Sequence, residues 1–476
     1  MDNKVDDQVK NIFSVRDGEL YIEELKAEAL AKDFGTPLFV YSETLIRSRL
    51  AEIRRDFLDK YPGTFAAYAG KAFLTPAMCR IVDEEGFCLD VVSAGELYTA
   101  RRAGFPEERI SYHGNNKTCE ELDAAIGGGA GCAGGTGGTI SGGAGGAIGG
   151  GTGGTIGGAG DAGCTENGGV GRIAIDGLDE LDIIESLAEK YGRQQAVLFR
   201  ITPEVGAGAH AHVTTGKRDS KFGVPIDDHI IYPLIGRAIH SPNILFKGLH
   251  FHIGSQIFDF SPYLEATKKA LEVIGEIHRR FGYSVPELVV GGGFGIRYTG
   301  DEERKPYAWF MDPVMELINN FCADRGLSPP RVGIEPGRSI VGDAGVTLYT
   351  VGAVKQIPGG TLYVSIDGGM SDNIRPALYG AEYEAVIANK AGDIPSKKAT
   401  VCGKLCESGD RIIEDVYLAG PERGDILCVF ATGAYGYSMA SNYNKLPKPA
   451  VVFVRGSEAN LVVRRQTLGA MTEDEL

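Results

Sequence analysis

The chain has 476 residues, too many for one small domain, and its balance of 43% hydrophobic to 23% charged residues is that of a soluble globular protein. Asp and Glu number 63 against 48 Lys and Arg, a formal charge of −15. That sign argues against nucleic acid or an anionic membrane as partner, but leaves room for an anionic small ligand held in a local field.

The opening "MDNKVDDQVKNIF" is polar and acidic and lacks the apolar stretch of a secretion signal. No window approaches about 18 consecutive apolar residues, so no membrane span is expected. Residues 1–38 predict short strands and turns, then a helix over "IEELKAEALAKDFG" that stops at Gly35 with Pro37 beyond. From "PLFVYS" onward, short apolar runs alternate with amphipathic helical stretches. "TFAAYAG", "CLDVVS", "RISYHG", "GRIAIDG", "AVLFRI", "LFKGLHFHIG", "ELVVGGG" and "RVGIEPG" read as strands. Repeated β-then-α predicts a parallel sheet, and about eight strands over roughly 250 residues suit a (β/α)8 barrel. A doubly wound open sheet is the alternative. After residue 343, short β-rich runs such as "GVTLYTVGAVKQI" and "GDILCVFATGAY" predict a separate all-β domain over 344–476. The expected division is therefore 1–38 joining the β domain, 39–343 the barrel, and 344–476 the C-terminal domain.

Residues 127–164 interrupt this plan with a glycine-rich tract of period eight, in which Ile140, Ile148 and Ile156 share one phase and Cys132 and Cys164 extend it. The tract has no Lys or Arg and opens no helix, so it lacks the fixed amides of a phosphate loop. It also falls on an α-to-β connection, whereas barrel active sites sit on the β-to-α loops. It reads as a flexible low-complexity insertion remote from chemistry, or else as a packed repeat using the Ile row. The nine Cys are odd in number and form no CxxC pair, which points to reduced thiols in a cytosol and to no structural metal.

Five stretches carry candidate chemistry. In "YAGKAF", Lys71 ends a strand, where partial desolvation could keep an amine nucleophilic; a surface lysine is the plain alternative. In "GLHFHIGSQ", His250 and His252 share one strand face, and the turn that follows offers amides and Ser255 to an anion. In "VVGGGFGIRY", glycines after a strand allow close approach of backbone to a phosphate. In "GIEPGRSIVG", Glu335 and Arg338 could equally be a rim ion pair. In the β domain, "CESGD" sets the Cys406 thiol beside the Glu407 carboxylate, although a buried inert Cys is the ordinary case.

Together with "HGNNKT", "TGKRDSKFG", "RPALYGAEY" and "GAYGYSMASNYN", these motifs closely resemble the fold-type III pyridoxal-phosphate decarboxylases, and among them the branch acting on diaminopimelate. The resemblance spans the chain except the glycine tract. It implies an alanine-racemase-like barrel plus a β domain built from both chain ends, with pyridoxal 5'-phosphate as cofactor. It implies that Lys71 carries the cofactor, that His252 stacks on its ring, and that Ser255, Gly292 and Gly293, with Gly337 and Arg338 of the "EPGR" turn, hold its phosphate. Glu335 would face the pyridine nitrogen and keep it protonated, with Asp90 nearby and Tyr435 against cofactor and substrate. Arg338, Arg375 and Tyr379 would grip the far end of the substrate, with Glu407 on its ammonium. Cys406 would protonate the carbon left when carbon dioxide departs. In the family, Cys406 and Glu407 serve the other subunit, so a cytoplasmic homodimer with composite sites is implied. The implied reaction converts meso-2,6-diaminopimelate, at its D-centre, to L-lysine. A decarboxylase of ornithine, arginine or carboxynorspermidine, a racemase on the same barrel, and a non-catalytic cofactor-binding homologue are the competing readings.

Overall fold

The computed structural model describes residues 7–128, 168–205, 220–300 and 302–476. Most of the glycine tract, with Cys132 and Cys164, lies outside these, as does part of the "TGKRDSKFG" motif.

Eight parallel strands close into a barrel: β1 (Phe65–Ala69), β2 (Cys88–Val91), β3 (Ile110–Tyr112), β4 (Arg172–Ile175), β5 (Gln195–Thr202), β6 (Ile244–His250), β7 (Glu287–Val289) and β8 (Arg331–Ile334). Each pairs with its successor, and β8 returns to β1, so the sheet is closed and the open-sheet alternative is excluded. Strands covered on both faces need unbroken apolar runs, and β1 and β5 are buried at every residue.

The turns from strand to helix carry their own start signals. Thr75, Ser93 and Thr118 each accept a backbone N–H two or three residues into the helix that follows, and Thr118 completes a capping box with Glu121. The two longest helices, Ser261–Phe281 and Tyr307–Arg325, end at Gly282 and Gly326 in the left-handed conformation. The lower end of the barrel is closed by Phe65, which packs with Leu198 and Val289 and lies under the guanidiniums of Arg172 and Arg331. The usable opening is therefore at the other end, where the strands terminate.

The second unit is a sheet running Arg411–Leu418, Lys397–Cys402, Leu362–Ile366, Gly345–Gln356, Leu38–Ser42, Ala450–Arg455, Glu458–Val463, with Ile426–Val429 also paired to Gly345–Gln356. Strand Leu38–Ser42, expected in the barrel, lies in this sheet instead, antiparallel to Gly345–Leu348 and parallel to Ala450–Val454. Its fully buried apolar run is indistinguishable from a barrel strand; only its partners, some 300 residues and more away in sequence, decide the matter. Before it, Phe13–Arg16, Glu19–Ile22 and Leu25–Lys26 form a small antiparallel sheet of their own. The helix starts only at Ala27, because Ile22 and Leu25–Lys26 are committed to that sheet. It still ends at Gly35, as expected. Among the described residues no helix is long and apolar enough to cross a membrane.

Candidate active site

A cavity of about 850 Å³ opens at the strand ends, between barrel and second domain. Lys71 projects into it from the turn after β1. Asp90 at the end of β2, His252 and Ser255 after β6, and Glu335 after β8 line the same space. So do Gly292, Gly293, Gly337 and Arg338. Arg375, Tyr379 and Tyr435 close it from the second domain. Cys406 and Glu407 are not among its lining; both are exposed, on the loop between Lys397–Cys402 and Arg411–Leu418.

The floor is a charged triad. His250 donates from Nε2 to Glu335 Oε2 at 2.8 Å, and His113 Nε2 lies 3.0 Å from Glu335 Oε1. Because a carboxylate only accepts, His250 carries its proton on Nε2, leaving Nδ1 buried with no protein partner. Burial would push Glu335 up, but the two imidazoles outweigh it and hold the carboxyl well below its usual range. Burial drives His250 down to about 4. Burial acts the same way on His113, yet Glu335 and Asp90 together raise it. The same carboxylate thus meets two imidazoles shifted in opposite directions, His250 down and His113 up. Burial lifts Asp90, whose Oδ1 has no partner. The three ligand atoms of His113, His250 and Glu335 lie within 4.8 Å of one another, close enough for a metal ion. The neighbouring carboxylates favour the protonated form of His113, which weakens it as a metal ligand, and Glu335 is placed to accept a cationic N–H from the cavity above it.

The wall beside the floor is made for an anion. A Cβ on Gly292 would sit 2.1 Å from the Glu335 carbonyl, and one on Gly293, at φ +101, 2.3 Å from that of Gly254. Only glycine lets these backbone segments pack so closely, which leaves their amides uncovered by side chains. Gly292 N–H reaches toward His252 Nδ1 at 3.4 Å. Burial, with Lys71 and Arg200 adding to it, holds His252 well below the usual range, so the ring is neutral. Arg338 donates from Nε and Nη2 to Ser255 Oγ at 3.2 and 3.0 Å, which sets a cation at the same spot. Its guanidinium lies over the Tyr435 ring at 4.8 Å. Tyr435 itself holds φ +61, fixed by its N–H to the Ala72 carbonyl at 2.9 Å, which ties the second domain to the Lys71 turn.

Three lining residues went unassigned in the sequence. His113 follows β3 in "HGNNKT"; Arg200 is near the end of β5 and pairs with Asp176 at 3.2 Å; Tyr298 ends "VVGGGFGIRY". His113 and Arg200 lie at the carboxyl ends of barrel strands and Tyr298 on the loop after β7, the side from which barrels build sites, and that was the available signal.

A family profile described as "Pyridoxal-dependent decarboxylase, pyridoxal binding domain" matches residues 46–133 and 164–342. Its interruption falls within the glycine tract. Diaminopimelate decarboxylase of Bacillus subtilis (strain 168) is 43% identical over 450 residues, 94% of this chain and 93% of that protein. That of Staphylococcus aureus (strain COL) is 40% identical over 454 residues, 95% and 96% of the two chains. The crystal structure of the M. jannaschii diaminopimelate decarboxylase in complex with L-lysine matches at 30% identity with a TM-score of 0.83, over 98% of each chain.

Proposed function

The chain belongs to the diaminopimelate decarboxylases of the pyridoxal-dependent family, and from that premise we propose how its cavity carries out the family's reaction. The reaction is the decarboxylation of meso-2,6-diaminopimelate to L-lysine and carbon dioxide, the last step of lysine biosynthesis, and the cofactor is pyridoxal 5'-phosphate.

The residues present fit that cofactor. The glycine cradle of Gly292 and Gly293, with Ser255, Gly337 and Arg338, suits its phosphate. Lys71 would offer the amine for its aldehyde, and the neutral His252 ring would flank the heterocycle. Glu335, kept ionised by its two imidazoles, would favour a proton on the ring nitrogen, with Asp90 lining the same space. When bound, the cofactor supplies the electron sink for the bond to the departing carboxylate.

The chain's own side chains do the rest. Arg338, Arg375 and Tyr379 bind the carboxylate at the far end of the substrate, and Tyr435 covers cofactor and substrate. Glu407 pairs with the far ammonium, and Cys406 delivers a proton to the carbon that loses its carboxylate. Both lie outside the cavity of their own chain and are exposed, so a second copy supplies them, and the working unit is a homodimer with two composite sites. The described cysteines are all free thiols, in keeping with a cytoplasmic enzyme.

The observation that carries this reading is the pairing, across one cavity, of the Lys71 amine with a buried carboxylate held ionised by His113 and His250. The purified protein with added cofactor should release lysine and carbon dioxide from meso-diaminopimelate, and no product from ornithine or arginine. Faster turnover of either competitor would overturn the assignment.

A further inference from the structure

We propose that Tyr298 is a specificity-determining residue for the carboxylate at the far end of the substrate: its hydroxyl spaces Arg338 and Arg375, and directs its own O–H to that carboxylate. The inference rests on the function proposed above. The Tyr298 oxygen accepts from Arg338 Nη1 at 2.5 Å and from Arg375 Nη1 at 2.9 Å. Guanidiniums only donate, so neither arginine can take the phenolic hydrogen. No described residue accepts it either, and Tyr298 lines the cavity, so the hydrogen is left for a ligand.

The hydroxyl is also fixed in place. Tyr298 N–H donates to Glu302 at 2.8 Å, and the ring packs edge-on against Tyr383 at 5.6 Å. Tyr383 in turn takes Arg375 Nη1 at 2.9 Å. Arg338 has its other two nitrogens on Ser255 and cannot swing away from the phosphate cradle. Arg375 Nε and Nη2 have no partner among the described residues. Tyr298 is thus a post between a guanidinium anchored on Ser255 and one with more donors to spare. Burial pushes its phenol up, but the two cations more than offset this and bring it below the usual range, which strengthens it as a donor. A ligand carboxylate meets the O–H and the remaining Arg375 donors together. A ligand bearing only an ammonium there meets two cations across the occupied phenol.

Tyr298→Phe keeps the ring and removes the hydroxyl. The KM for meso-diaminopimelate should rise about 10- to 100-fold while kcat stays within about threefold. Inhibition by L-lysine, which retains the far carboxylate, should weaken by the same factor. Inhibition by 1,5-diaminopentane, which has none, should be no weaker than in the wild type. Cofactor affinity, read by fluorescence titration, should stay within about twofold. Equal weakening of both inhibitors would reduce Tyr298 to a structural role and overturn the proposal, as would an unchanged KM. Should the Phe variant not accumulate, Tyr298→Leu is read with the same inhibitor pair. A wild type that does not turn over diaminopimelate would overturn the functional reading and this inference with it; an active wild type with an indifferent Tyr298→Phe overturns this inference alone.

Discussion

The cavity floor and the Leu405–Asp410 loop carry comparable chemistry in opposite settings. On the floor, Glu335, His113 and His250 are buried and bonded to one another within one chain. On the loop, Cys406 and Glu407 are exposed and touch nothing in their own cavity. Yet the loop is not slack. Asp410 accepts from Leu405 N–H at 2.9 Å and from Met370 N–H at 2.7 Å, and a Cβ at Gly369 or Gly403 would collide with its carboxylate. Cys406 N–H is held by Asn444 at 2.7 Å. The contrast separates two kinds of readiness. The floor is complete by itself and sets proton positions. The loop is ordered in advance but aimed outward, which is the form of a part delivered to a neighbour.

The strongest test of the floor is Lys71→Ala, which removes the amine that faces it. Activity should fall on the order of 10,000-fold, and the absorbance of covalently held cofactor should vanish; surviving turnover would mean the floor works without its lysine. On the loop, Cys406→Ala should cost about 100- to 1,000-fold in kcat while leaving cofactor binding intact. Mixing and reassorting the two inactive variants should restore roughly a quarter of wild-type activity, because half the dimers are mixed and each has one intact site. No recovery would mean that Cys406 serves its own chain.

A smaller effect is expected from His250→Gln. Burial holds His250 at about 4, below its ordinary 6.5, so the unfolded chain binds a proton that the folded chain refuses. Its contribution to stability is complete above pH 6.5 and is lost as the pH falls through 4, on the order of 3 kcal/mol. Denaturation curves of the variant should therefore decline less steeply between those limits. A decline as steep as that of the wild type would assign the loss to other groups. The least change is expected from deleting 127–164. The tract's described flanks, the end of helix Cys119–Gly127 and the start of β4, lie away from the carboxyl ends of the strands, and turnover should stay within about threefold. A folded but inactive deletion variant would show that the cavity depends on it.

The barrel was legible because each of its strands is a short, mostly apolar run closed by a turn, and the motif residues sit where those runs stop. Strand Leu38–Ser42 reads the same way but belongs elsewhere, since pairing across several hundred residues leaves no local trace. The same limit applies to the site. Lys71 and Glu335 stand in recognisable strings, whereas Tyr298 gains its meaning from Arg375, on another domain. His113 and Arg200 are single polar letters after apolar runs, and nothing in spacing distinguishes a floor from a rim.

Strand Leu38–Ser42 also has a consequence for how the polypeptide is made. It leaves the ribosome before the barrel strands, whereas both of its sheet neighbours, Gly345–Gln356 and Ala450–Arg455, follow them. At about 5–20 residues per second, an apolar strand waits tens of seconds with both edges open while the barrel assembles beside it. Nascent chains arrested before Ala450 should therefore engage chaperones through that strand, and release should coincide with the emergence of its final partner.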